Sequence, residues 1–254
     1  MDAELIGAGR TQETHSSTSP MWLYWLTYIG GQALRPYWRL SLVGDTRGIP
    51  RTGPLLLACN HASFLDPWLL GFTFPRGIRF LISRQWYFRS GPWNFVFRAN
   101  GTIPVGESPS RTLDAVCEAL GRGETVGVFP EGRISRDGRI QPFRAGLAHI
   151  AARTGSPVLP LGIRGNFRSM PRDRRWPSPS TIKVHVGTPV TFPGAPVARP
   201  PGRETSESFQ AEIVRQVCRL AGQDGRADEI LGATRPRTAA TPRNTSSATT
   251  IPSP

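Results

Sequence analysis

A histidine and an aspartate five residues apart, His61 and Asp66, lie in the stretch LLLACNHASFLDPWLL between two apolar runs. When a carboxylate holds the Nδ1 proton of an imidazole, Nε2 is left as a base that can take a proton from a hydroxyl, the central step of acyl transfer. The nucleophile need not belong to the protein, because a substrate hydroxyl can attack directly. In a continuous helix the two side chains would stand about 140° apart around the axis and could not easily meet, so the pair needs a loop. Leu55–Cys59, apolar and preceded by Gly53 and Pro54, reads as a buried strand ending near Asn60. Pro67 suits the first position of a helix, which makes Asp66 a natural N-cap. Spacing alone leaves a second reading open, in which Asp66 only caps that helix.

The elements around this loop alternate in type. VGVFPEGRIS at 126–135 is an apolar run entering a turn that presents Glu131, Gly132 and Arg133, and SPVLPLGI at 156–163 is a second buried strand with Pro160 inside it. Residues 109–121 carry Leu113, Val116, Cys117 and Leu120 at helical spacing, residues 143–154 read as another helix, and 181–186 alternate as an outer strand. His149 in the second helix and His185 on the strand need no chemical role. A Pro-rich linker at 193–201 precedes an amphipathic helix marked by Phe209, Ile213, Val217 and Leu220. The expectation is a single α/β domain over 44–222, with a mixed central sheet flanked by helices.

NHASFLD at 60–66, GTIPV at 101–105, the Pro-Glu-Gly turn and SPVLPLGI, in this order, resemble the four sequence blocks of the glycerolipid acyltransferase family of the lysophosphatidate type. The resemblance spans about residues 50 to 190 and implies a role for each matching residue. His61 would be the general base that deprotonates the hydroxyl of a lysophospholipid, and Asp66 its orienting partner. Glu131, Gly132 and Arg133 would shape the acceptor pocket, and backbone amides near the turns would stabilise the oxyanion. The implied reaction uses acyl-CoA or acyl-ACP (acyl carrier protein) as co-substrate, with no metal and no bound cofactor. Two departures stand out: Arg133 and Ile134 follow Pro-Glu-Gly where the common form has threonine and then arginine, and GTIPV is followed by Gly106 and Glu107 rather than by an arginine. That missing arginine is associated with the acceptor's phosphate, and Arg111 or Arg98 could substitute. Alternative readings are acylation of glycerol-3-phosphate or of another lysolipid, or a catalytically inactive basic relative that binds membrane or nucleic acid.

The chain has 254 residues and a formal charge of +13, with Lys183 as its one lysine. Its mean hydropathy of -0.28 excludes a polytopic membrane protein. The basic surface will attract phosphate-bearing partners, whether anionic lipid or nucleic acid. No recognised nucleic-acid motif is present, so no nucleic-acid partner is expected. Cys59, Cys117 and Cys218 are widely spaced and exclude a disulfide framework or a zinc site; Cys59 reads as a buried structural thiol.

Residues 1–20 are polar and lack the features of a signal peptide, so they are expected to be disordered. Residues 21–43 crowd Trp22, Tyr24, Trp25, Tyr28, Tyr37 and Trp38 beside Arg35 and Arg39, and Gly30, Gly31, Gln32 and Pro36 interrupt the apolar part. The segment reads as an N-terminal membrane-associated helical anchor lying in the headgroup layer, or as a helix packed on the protein's own core. RQWYFRSGPWNFVFR at 84–98 reads as a substrate-channel wall or membrane-facing helix, with a plain core helix as the alternative. RGNFRSMPRDRRW at 164–176 is a basic loop that could hold a lipid phosphate or rest on anionic lipid, or simply be solvated. Residues 223–254, with Thr, Pro, Ser and Ala prominent beyond 233, read as a disordered tail. The expected location is the cytoplasmic face of the cell membrane, peripheral or monotopic.

Overall fold

The structure, a computed structural model, describes residues 22–88, 91–106, 108–171, 173–197 and 201–234. The strands are β1 (Ser41–Gly44), β2 (Leu55–Cys59), β3 (Ile78–Ser83), β4 (Ile103–Val105), β5 (Thr125–Val128), β6 (Val158–Arg164) and β7 (Lys183–Val186). The helices are α1 (Trp22–Leu34), α2 (Asp66–Thr73), α3 (Arg84–Tyr87), α4 (Pro92–Ala99), α5 (Pro109–Gly121), α6 (Gly146–Thr154), α7 (Asn166–Ser169), α8 (Arg203–Ala221) and α9 (Asp224–Thr234).

One seven-stranded sheet in the order β1-β7-β6-β2-β5-β3-β4 forms the centre, and its pairings are parallel except for β6 with β7. The mixed α/β sheet expected from the sequence is the one observed. Strand alternation divides the core into two layers. Leu55, Leu57 and Cys59 point into a cluster with Leu69, Leu70 and Phe72 of α2. Leu56 and Ala58 point the other way, toward α5, α6, α8 and α9. Buried on both faces, β2 is a continuous apolar run with no polar alternation.

Three expectations about the elements are corrected. β7 is not an outer strand, because β1 pairs with it and takes the edge. β1 comes from the end of the segment read as an anchor, and Trp38 and Leu40 just before it are core residues at 5% exposure each. The segment expected to be an anchor therefore does not serve as one piece to residue 43. Within it, α1 runs unbroken through Gly30, Gly31 and Gln32; a Cβ on Gly31 would strike the Phe72 ring, so glycine lets α1 pack closely on α2. Finally, 224–234 is helix and not tail, docked through buried Ala227 and Ile230. The tail expected beyond it, and the disorder expected for 1–20, lie outside the described residues.

Candidate active site

The carboxyl ends of three neighbouring parallel strands meet at one edge of the sheet, the usual place for a site in an open α/β sheet. β2 leads into Asn60 and His61, β5 into Phe129, Pro130 and Glu131, and β6 into Gly165 and Asn166. Gly165 has a φ of +85°, and a Cβ there would collide with the carbonyl of Thr181. Glycine is needed at that point to turn the chain so that Asn166 faces the β2 loop.

His61 Nδ1 lies 2.9 Å from Asp66 Oδ2. The same oxygen accepts the backbone N–H groups of Ala62 at 2.8 Å and Ser63 at 2.9 Å, while Oδ1 accepts from Asn166 Nδ2 at 2.7 Å. Asp66 is completely buried, and these donors are what make a buried carboxylate tolerable. Such a carboxylate only accepts, so the shared proton sits on Nδ1 and Nε2 carries the lone pair. The imidazole stacks on Phe129 with centroids 4.0 Å apart, and its side chain is 15% exposed, enough for a substrate hydroxyl to reach it.

The expected N-cap is not formed. Asp66 is the first residue of α2, Leu65 occupies the cap position, and the carboxylate binds the amides upstream of the helix. Those amides fold the loop back over the helix mouth, which brings His61 within reach.

Glu131 is 3% exposed and clamps the loop from the β5 side. Its Oε1 accepts the backbone N–H of His61 at 2.7 Å, and its Oε2 that of Gln141 at 2.8 Å. Burial pushes its carboxyl up from 4.5 to about 8; the two amide hydrogen bonds and Arg133 pull it down, and Asp66 pushes it up. The carbonyl of His61 accepts from Ser135 N at 2.8 Å, so both backbone groups of the histidine are fixed. Gly132, at φ +70°, lies against the Arg144 side chain, leaving no room for a Cβ.

The other anticipated residues fall in different places. Arg133 is exposed beside Glu131. Arg111 lies in the first turn of α5, just after the carboxyl end of β4, on the same edge of the sheet as His61. β4 is three strand spacings from β2, roughly 14 Å. Arg98 belongs to the opposite edge: its carbonyl accepts from Gly101 N, and Gly101 packs on Arg79 near the start of β3. The amides of His61, Ala62, Ser63 and Ser135 are already bound within the loop, so the oxyanion role expected of amides near these turns does not fall to them. Cys59 is buried, and burial, with Asp66 and Glu131 adding to it, pushes its thiol well above the ordinary value.

Sequence reasoning assigned no role to Asn60, Phe129, Ser135 or Asn166. Asn60 ties the end of β2 to β6, donating to the carbonyl of Ile163 and accepting its N–H. It opens the NHASFLD block, whereas Asn166 lies in the basic loop a hundred residues from its partner, and nothing local marks it.

Residues 42–164 match the family model described as Acyltransferase. Over this stretch the chain is similar to that family. The chain is 31% identical over 143 residues to a chloroplastic 1-acyl-sn-glycerol-3-phosphate acyltransferase of Brassica napus, covering 55% of this chain and 41% of that protein. It is 33% identical over 115 residues to the 1-acyl-sn-glycerol-3-phosphate acyltransferase of Neisseria gonorrhoeae, covering 43% and 44%. The chain thus spans less than half the length of these relatives. The crystal structure of the 1-acyl-sn-glycerophosphate acyltransferase of Thermotoga maritima superposes with a TM-score of 0.63 at 22% identity, covering 85% of this chain and 82% of that one. The domain and its sheet therefore share that fold, and His61, Asp66 and Glu131 all lie inside the stretch that matches the family model.

Proposed function

We propose that this protein transfers an acyl chain from a thioester to the free hydroxyl of lysophosphatidic acid, forming a diacyl phospholipid precursor and releasing a thiol. The observation that carries the reading is the His61–Asp66 pair, held in a loop whose other hydrogen bonds leave Nε2 as its base. Nε2 takes the hydroxyl proton as that oxygen attacks the thioester carbonyl. The imidazolium is stabilised by Asp66 and returns the proton to the departing thiolate, so ester and thiol form with the proton conserved. Glu131 positions the histidine through its backbone amide and takes no part in proton transfer.

The test is thiol release from acyl-CoA with and without lysophosphatidic acid, using the protein in detergent micelles. Release that depends on the acceptor supports the reading; none, with acyl-ACP and other lysolipids also tried, overturns it. Arg111, at the sheet's carboxyl edge, is proposed to hold the acceptor's phosphate together with Arg133. Arg111→Ala is expected to raise the KM for lysophosphatidic acid about tenfold, with the donor KM unchanged.

The acceptor is a lipid, and the domain presents an apolar surface from which to meet one. Trp25, Leu26 and Ile29 on α1, Phe64 in the catalytic loop, and Trp86, Phe88 and Phe95 around α3 and α4 are exposed. Phe64 and Trp86 meet edge to face with centroids 6.4 Å apart, and α1 packs on both α2 and α4, so this surface reaches the site. Among the described residues no helix is long and apolar enough to cross a membrane. Peripheral docking at the cytoplasmic face is the arrangement we propose. Ile29→Glu, on an exposed position, is expected to cut the fraction sedimenting with anionic vesicles several-fold without changing the melting temperature; unchanged sedimentation would remove α1 from the docking surface.

A further inference from the structure

The basic stretch after β6 supplies Asn166 to the Asp66 carboxylate. Its arginines have so far no part in this chemistry, yet the stretch lines a cleft of about 650 Å³ that adjoins the catalytic loop. Asn60, one residue before His61, and Asn166, which holds Asp66, are both in its wall. The cleft also takes in Arg164, Phe167 and Arg168, with Ser180, whose buried hydroxyl has no partner among the described residues. Asp137 is the one carboxylate among the described residues of the lining, and it is turned to its own loop, where it accepts from the Ser135 hydroxyl and the Arg139 amide. The volume suits one nucleotide-sized ligand. Two guanidiniums beside an aromatic ring suit a phosphorylated, ring-bearing one.

The position of the cleft separates it from the lipid side. Ala221 and Gln223, at the end of α8 and just beyond it, form part of its wall, so it opens beside that end of α8, whose own layer is that of α5, α6 and α9. The exposed apolar residues of α1 lie in the other layer, over α2. The cleft also flanks β6 and the entry to β7, whereas Arg111 lies beyond β5 and β3, on the other side of His61. A ligand entering here comes from water and reaches His61 from the side opposite the proposed acceptor phosphate.

We infer that this cleft holds the phosphorylated nucleotide end of a coenzyme A thioester, the acyl donor, and directs its pantetheine arm past Asn60 to His61. The inference rests on the acyl-transfer reading proposed above. Arg164 is partly committed, since Nε and Nη2 donate to the carbonyls of Leu220 and Arg219 at the end of α8. Arg168 is exposed at the end of α7 and is the residue to change.

The experiment measures binding of free coenzyme A by calorimetry, and separately KM for acyl-CoA and for lysophosphatidic acid, in wild type, Arg168→Glu and Arg215→Glu. Arg215 is exposed on α8, away from the cleft, and controls for net charge. Arg168→Glu is expected to weaken coenzyme A binding and raise the acyl-CoA KM at least about tenfold, leaving the acceptor KM and the melting temperature unchanged, while Arg215→Glu changes neither KM. Dephospho-coenzyme A and acyl-ACP are run beside it. A defect seen with coenzyme A and not with acyl-ACP supports the nucleotide assignment; an equal defect with both shows that the cleft reads something other than the nucleotide and overturns it. A raised KM for lysophosphatidic acid would make the cleft a lipid-phosphate site and also overturn it. Unchanged coenzyme A binding in Arg168→Glu with transferase activity present sinks the inference and leaves the proposed function standing. Coenzyme A binding lost in Arg168→Glu, with wild type turning over no acceptor, keeps the cleft and sinks the acyl-transfer reading.

Discussion

His61→Ala is expected to lower the acceptor-dependent rate of thiol release by about 10²–10⁴-fold with the fold intact. The loop does not depend on the imidazole: the backbone N–H of residue 61 is held by Glu131, its carbonyl by Ser135, and the Asp66 carboxylate keeps the amides of Ala62 and Ser63. Alanine therefore removes the base and leaves its cradle. Asp66→Asn acts on the same step by a different route. An amide at 66 can still accept from Nδ1, but it carries no charge to stabilise the imidazolium, and its NH₂ group faces a donor on one side or the other. Because the two residues act as one unit, the double variant should be hardly slower than His61→Ala alone. Circular dichroism and melting confirm the fold of each variant, and thiol release at saturating acceptor gives the rates. A His61→Ala protein that keeps its rate within a few-fold would remove the histidine from the chemistry.

How far this site could be seen in the sequence depended on how local its parts are. β2, the loop and α2 are contiguous, and the apolar run, the histidine and Pro67 mark them in order. Asp66 was misread as a cap because its true partners are upstream amides, and only the folded loop brings them to it. Asn166 could not be found at all, since its contact closes across a hundred residues and needs β6 beside β2. The same long-range pairing decides the sheet. The short run Ser41–Val43 was hidden at the end of an aromatic segment, and its pairing with β7 moved that strand off the edge. Arg98 shows the converse: close to GTIPV in sequence, it lies just before the start of β4, while the proposed chemistry lies at the strands' other ends. α9 escaped notice because its burial rests mainly on Ala227 and Ile230, too few to impose a periodic pattern on an otherwise polar segment.

Glu131 should couple stability to pH in a direction opposite to that of most paired carboxylates. Its folded value of about 8 lies above the ordinary 4.5, chiefly through burial. Between those values the native state keeps a proton that the unfolded chain has released. Its contribution to stability is therefore fully present below about pH 4.5 and is lost as pH rises through about 8. Glu131→Gln abolishes the titration and should flatten this slope, a difference on the order of a few kcal/mol between pH 5 and 9. The variant is also less stable at low pH, because its NH₂ group must face the amide of either His61 or Gln141, an unpaired donor costing about 1–3 kcal/mol. Glu131→Ala leaves both amides unpaired and should lose about twice as much, along with most of the activity, since the backbone of His61 is then held only through its carbonyl. Urea unfolding of wild type and Glu131→Gln at the two pH values reads the slope directly. Parallel pH profiles would mean that the two amide hydrogen bonds outweigh burial and keep Glu131 ionised, and the clamp on His61 would then be a charged one across the whole range.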